Sequence, residues 1–238
     1  ALKTNDGWVG TDGVEVTFTG SQTDVGESAN SFTYAAKEGT NLDNYTVNKS
    51  EGTLKVTKNT TEIVITADSG EKVYDGTAIV PTQGADGTGE DVGYTYTEGV
   101  LAEGDVLTAE VSGSQTDAGE SASTVTSYKV MRGEKDVTEY YTFGTSVPGT
   151  LKVTKKTVTL TSGNAEKTYD GTALTNADVE GKNENGLTVE TGWVEGEGAT
   201  YSFTGTQTDV GESANAFSYT LNSNTKAGNY DIQKSEGT

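Results

Sequence analysis

Apolar and polar side chains alternate in short runs along this chain. Val14, Val16 and Phe18 are separated by Glu15 and Thr17, which places the apolar set on one face of an extended segment and the polar set in water. That is the pattern of a half-buried strand. Phe32 and Tyr34 carry a second inward face, Tyr45 and Val47 alternate within 44–48, and Leu54 and Val56 alternate within 54–58, Leu-Lys-Val-Thr-Lys. Ile63 with Ile65, and Val158 with Leu160, repeat the signal further on. Asp6-Gly7, Asp12-Gly13 and Glu51-Gly52 punctuate these runs, and glycine there accepts the positive φ of tight turns. Short strands joined by turns are expected, with almost no helix.

One motif recurs three times and organises everything around it. It reads QTDVGESAN at 22–30, QTDAGESA at 115–122 and QTDVGESAN at 207–215. At an offset of 185 the start of the chain slides onto its end without a gap, so that Trp8 falls on Trp193. Self-similarity on this scale signals an array of related units. The expected division is 1–58, 59–156 and 157–238. Only the second and third begin with Lys-x-Tyr-Asp-Gly-Thr, at 72–77 and 167–172, and only the first two carry a Leu-Lys-Val-Thr-Lys strand, at 54–58 and 151–155. The first repeat is therefore read as lacking its opening strand and the third as lacking its last. Open strand edges are templates for pairing, so neighbouring repeats or further copies of the chain are the expected partners. The junctions, 59–61 and 155–156, are brief and free of glycine, which limits swing between neighbours.

Composition narrows the function classes. The formal net charge is −20, which disfavours nucleic acid and anionic membrane as partners and keeps a long chain soluble. There is no cysteine and no histidine, so disulfides and thiolate chemistry are excluded, and the commonest general base and metal ligand is missing. No apolar run is long enough for a membrane span. A soluble chain excised from something longer is expected.

Lys-x-Tyr-Asp-Gly-Thr, then Asp-Val-Gly, Asn-Tyr and a closing Leu-x-Val strand occur in fixed order. In this the chain resembles the YDG and MBG tandem repeats of large surface adhesins of Gram-positive bacteria. The second repeat departs from the pattern, with Glu139-Tyr140-Tyr141 where the others have Asn-Tyr. The resemblance implies an exported, wall-associated, all-β tandem array without enzyme activity. The architecture expected is a row of small antiparallel β domains, sandwich or β-grasp-like, forming an elongated rod.

Several residues carry candidate chemistry. Tyr74 and Tyr169 are expected to bury their rings at the core edge, with Asp75-Gly76 and Asp170-Gly171 shaping turns. Asp24, Glu27, Asp117, Glu120, Asp209 and Glu212 could form glycosidase pairs, but residues repeated in every unit are better explained by turn formation than by three copies of a catalytic site. Trp8 and Trp193 are candidates for stacking on a host glycan or mucin. Calcium is the cofactor that the oxygen-rich stretches 85–91 and 5–12 would suit, although neither has EF-hand spacing. Lys167 with Asn229 is a candidate isopeptide pair, Glu212 serving as its acid. The function expected is a structural stalk or spacer on the bacterial cell surface, with glycan or matrix-protein adhesion as the alternative and a carboxylate glycosidase as a remote one.

Overall fold

The computed structural model describes residues 1–82 and 93–238. Among them the regular structure is strand, interrupted by four 3-10 helices of three residues each. The protein is all-β. The chain gathers into two compact units: unit one comprises Ala1–Ile63, Thr97–Val106 and Lys129–Gly144, and unit two comprises Val64–Tyr96, Leu107–Tyr128 and Thr145–Thr238. The middle sequence repeat contributes to both.

In unit one the strand Val14–Phe18 pairs antiparallel with Phe32–Ala36, Val16 lying opposite Tyr34 and Phe18 opposite Phe32. Val14 and Val16 are half-buried as the alternation predicts, whereas Phe18 keeps 42% of its surface exposed. Gly26–Asn30 pairs antiparallel with Gly52–Val56, and Glu62–Ile63 pairs parallel with Thr142–Phe143. Phe32, Ile63, Val100, Val130, Val137 and Tyr141 are buried in this unit.

Unit two centres on Lys156–Thr161, whose Val158 and Leu160 are fully buried. This strand runs parallel to Tyr230–Ser235 on one side and antiparallel to Val189–Thr191 on the other. Ala199–Phe203 and Phe217–Leu221 form a neighbouring antiparallel pair. Val158, Leu160, Leu187, Phe217 and Tyr230 make one core with Tyr74 and Val153. Fully burying a side chain such as Leu160 contributes about 2 kcal/mol.

The expected purely antiparallel pairing is corrected by three parallel strand pairs among the described residues. Besides the two already named, Gly149–Thr154 lies parallel to Gly70–Val73 while pairing antiparallel with residues 119–123 of the strand Gly119–Arg132. In each case a strand early in a sequence repeat lies beside a later one of the same repeat. Parallel neighbours need a long crossover, and the intervening strands supply it. Alternation within a single strand carries no information about pairing direction.

The repeated motif folds the same way locally in all three copies. Gln22, Gln115 and Gln207 each donate from Nε2 to the carbonyl two residues on, at 2.7 Å. Ser28, Ser121 and Ser213 each donate to the carbonyl seven residues back. What differs is the strand that follows. Gly26–Asn30 is a strand against Gly52–Val56, and residues 119–123 are strand against Gly149–Thr154, but the same sequence at 211–215 is in no strand. A partner ladder, rather than propensity, decides the strand state of this polar segment.

The glycine before each motif also has a physical reason. A Cβ on Gly20, Gly113 or Gly205 would lie 2.6, 2.4 or 2.6 Å from the carbonyl oxygen of Ala29, Ala122 or Ala214. Gly205→Ala is therefore expected to destabilise unit two by about 2 kcal/mol through overpacking against backbone. Gly228→Ala, which meets nothing within 4 Å, should change stability by less than about 0.5 kcal/mol. Urea unfolding of both variants checks the contrast.

Candidate functional site

The Lys-x-Tyr-Asp-Gly-Thr segment is a closed turn that presents its tyrosine. Asp75 Oδ1 accepts from Lys72 Nζ at 2.7 Å and from the Thr77 backbone and hydroxyl, both at 2.8 Å. Asp170 gathers Lys167 and Thr172 in the same manner. The lysine, then the threonine donors, hold both carboxyl groups far below the ordinary carboxylate range. Lys and Thr belong to the motif because they close the turn.

Tyr74 emerges from this turn and is 5% exposed. Its ring meets Tyr230 edge-on at 5.5 Å, and Tyr230 meets Trp193 edge-on at 4.9 Å. Such edge contacts suit the quadrupoles of the rings. Glu197 joins the two tyrosines, taking the Tyr74 hydroxyl on Oε1 at 2.6 Å and the Tyr230 hydroxyl on Oε2 at 2.7 Å. Gly76 passes close by with φ 83°, and a Cβ there would come within 3.1 Å of Val194 Cγ1. Residues of the second sequence repeat are thus seated in a socket built by the third.

A second contact, in the same unit, lies beside this socket. Asp117 of the repeated motif accepts from Lys226 Nζ at 2.6 Å and from Asn229 Nδ2 at 2.9 Å, while Asn229 Oδ1 takes the Ala118 N–H at 2.8 Å. Asn229 is 1% exposed. Lys226 and then Asn229 depress the Asp117 carboxyl below its ordinary value.

Unit one repeats the idea with different residues. Asp24, at the same place in its motif, takes the ammonium of Lys135 and lies 3.7 Å from Arg132 Nη1, and Lys135 leads the interactions that lower its pKa. Arg132 also binds Asp105 in bidentate fashion, at 2.6 and 2.9 Å. A tyrosine hydroxyl donating to a carboxylate recurs throughout, as Tyr45 to Asp12, Tyr141 to Asp105 and Tyr230 to Glu197, at separations of 33, 36 and 33 residues. Each hydroxyl also accepts a backbone N–H, from Val9, Ala102 and Val194 respectively.

The sequence-predicted residues fall into this scheme unevenly. Trp193 is packed against the core with Nε1 donating to Tyr201 at 3.2 Å, and Trp8 lies 4.8 Å from Tyr45 with Nε1 donating to Asn5 at 2.8 Å. Both tryptophans therefore pack beside a socket tyrosine. Tyr169 corrects the expectation of burial, because 62% of it is exposed. Its relative Tyr74 meets the Tyr230 ring and belongs to the buried core that also holds Val153. The structure does not join Lys167 to Asn229: Lys167 is held by Asp170 and Thr172, and Asn229 by Asp117. Glu212 lies at an exposed edge of a groove that Lys167 also lines. Asn5 and Asp12 are engaged by Trp8 and Tyr45, and 85–91 lies outside the described residues. Among the described residues no three His, Cys, Asp or Glu side chains gather to hold a metal ion.

Sequence reasoning missed Glu197 and the Asp117 clamp. The signal was the acid recurring about 33 residues before a tyrosine, which local alternation does not reveal. Compared with known families, curated proteins and solved structures, the chain has no match.

Two outcomes follow. Tyr74→Ala is expected to destabilise unit two by about 3–5 kcal/mol, the usual cost of deleting a buried aromatic ring, while Tyr169→Ala should cost less than about 0.5 kcal/mol. Urea midpoints of the two variants check this. Stability should also show a plateau in pH. The Glu197 hydrogen bond and then burial raise Tyr74, and burial followed by Glu197 raises Tyr230. Groups raised in the folded state stabilise it fully below their unfolded pKa, about 10 for tyrosine, and that contribution disappears as pH rises further. Asp117, lowered on folding, contributes above about pH 4 and loses its contribution on acidification. Urea midpoints from pH 3 to 11.5 should fall at both ends, and Tyr230→Phe should flatten the alkaline fall.

Proposed function

We propose that the chain is a non-catalytic stalk segment of a bacterial cell-surface adhesin or extracellular fibre, in which consecutive repeats are locked in a row. The observation that supports this best is the use of the repeated motif's aspartate as a cross-repeat clamp in two places, Asp117 to Lys226 and Asn229, and Asp24 to Lys135. A motif copied for catalysis would need a carboxyl group raised toward neutrality to act as an acid, and Asp24 and Asp117 are both shifted the other way. A parallel pair made by an early and a late strand of one repeat, as in Lys156–Thr161 and Tyr230–Ser235, brings the chain out at the end opposite its entry. That topology suits end-to-end stacking. The acidic charge suits an exposed chain that must not adhere to its neighbours.

In this reading the sockets of tryptophan and tyrosine are structural joints, and the adhesive function lies in other parts of the parent fibre. Small-angle scattering of the whole chain should return an elongated particle. The Tyr74→Ala, Asp117→Ala double variant should retain its strand content by circular dichroism and show a broader distribution of maximum dimensions. A compact globe, or a double variant that scatters like the parent, would contradict the proposal.

A further inference from the structure

In unit two the chain runs along Lys156–Thr161 and, after the intervening strands, along Tyr230–Ser235 beside it. The two pair in parallel throughout, from Lys156 opposite Tyr230 to Thr161 opposite Ser235. Ser162 extends the ladder by donating its N–H to the Ser235 carbonyl at 3.2 Å. Parallel pairing puts both strand starts at one end of a ladder and both strand ends at the other. Tension along the chain therefore pulls one strand at Lys156 and the other at Ser235, which lie at opposite ends. The whole ladder carries that tension at once, whereas a pull on two adjacent ends loads its hydrogen bonds one after another.

The surroundings reinforce this ladder. Residues 159–161 are also held antiparallel by Val189–Thr191 on the other side. Val158 and Leu160 are fully buried and Tyr230 is 3% exposed, so the ladder runs over a dry core, where a hydrogen bond is electrostatically stronger than in water. Asp117 holds Asn229, and Glu197 holds the Tyr230 hydroxyl, which anchors the start of the second strand. On the entry side only Lys155 separates Lys156 from Gly149–Thr154, a strand that is itself paired on both sides. That leaves one residue of slack.

We infer a further function for this chain, the bearing of tension along its length, with the parallel pair Lys156–Thr161 and Tyr230–Ser235 as a shear clamp. The clamp stands on the pairing alone. Its purpose, keeping a surface stalk folded under pull, rests on the stalk reading.

Forced unfolding is governed by the unfolding barrier and not by equilibrium stability, so one fold pulled in two directions tests the clamp. The chain has no cysteine, and a pair of introduced cysteines sets the direction in a single-molecule pulling experiment. Lys155→Cys with Ser235→Cys loads opposite ends of the ladder, and Lys155→Cys with Gly228→Cys loads adjacent ends, because Lys156 faces Tyr230. All three positions are exposed, and urea midpoints equal to that of the parent check that the fold is kept. The first pair should rupture at about twice the force of the second or more, although both variants share one stability. A second measurement needs no cysteine. Ser235 turns its carbonyl to the ladder, and alternation turns Gln233 the same way; proline there has no N–H to donate, so Gln233→Pro should lower the rupture force of the whole chain pulled by its termini. Equal forces in the two directions, or a Gln233→Pro chain as strong as the parent, would overturn the clamp even in a particle that scatters as a rod, leaving the stalk reading in place. A strong clamp in a compact particle supports the clamp and overturns the stalk.

Discussion

Two tyrosine hydroxyls share one carboxylate at the heart of unit two, and the joining of successive repeats there depends on that arrangement. Glu197 gives one oxygen to Tyr74 and the other to Tyr230. A buried phenol without an acceptor would carry a desolvation cost of about 1–3 kcal/mol, so Tyr74 enters the aromatic socket only because an acceptor waits inside it. The rest of the motif serves that entry. Lysine and threonine close the turn around Asp75, and Gly76 supplies the backbone conformation and the clearance past Val194.

The clamp made by the motif aspartate adds polar direction to this apolar contact. Asp117 and Asn229 exchange hydrogen bonds through side chain and backbone, which fixes register in a way that ring packing alone does not. In unit one, with Tyr140 in the position of Asn229, the partners of Asp24 are Lys135 and Arg132 instead. The same acid thus tolerates different cations and amides, which is how a repeat can diverge without losing its neighbour. Exposed ion pairs contribute little individually. Their role here is positional, with burial of Tyr74 and Asn229 carrying the energy.

Much of this was legible in the sequence, and the limits have physical causes. Alternation at Val14, Val16 and Phe18 correctly located a strand, whereas the motif expected to be a turn only bends, at Asp24-Val25 and Asp117-Ala118, and continues as strand in those two copies. The burial of Tyr74 was predicted correctly, but the identical reasoning failed for Tyr169. The difference lies in what each ring meets, Tyr230 and Glu197 for Tyr74, and neither partner is encoded within the motif itself. Parallel pairing was likewise invisible, since a period of two is the same in both directions. Glu197 escaped notice because its partners stand 123 and 33 residues away. The polar sequence at 211–215 shows the same limit, being a strand in two copies and not in the third.

The most direct measurement is a double-mutant cycle on Tyr74→Phe and Glu197→Gln, with unfolding free energies taken from urea titrations of the four proteins. The account predicts a coupling energy of about 1 kcal/mol or more, the range of a hydrogen bond to a charged group. Strictly additive effects would contradict it, because the two residues would then not act as one joint.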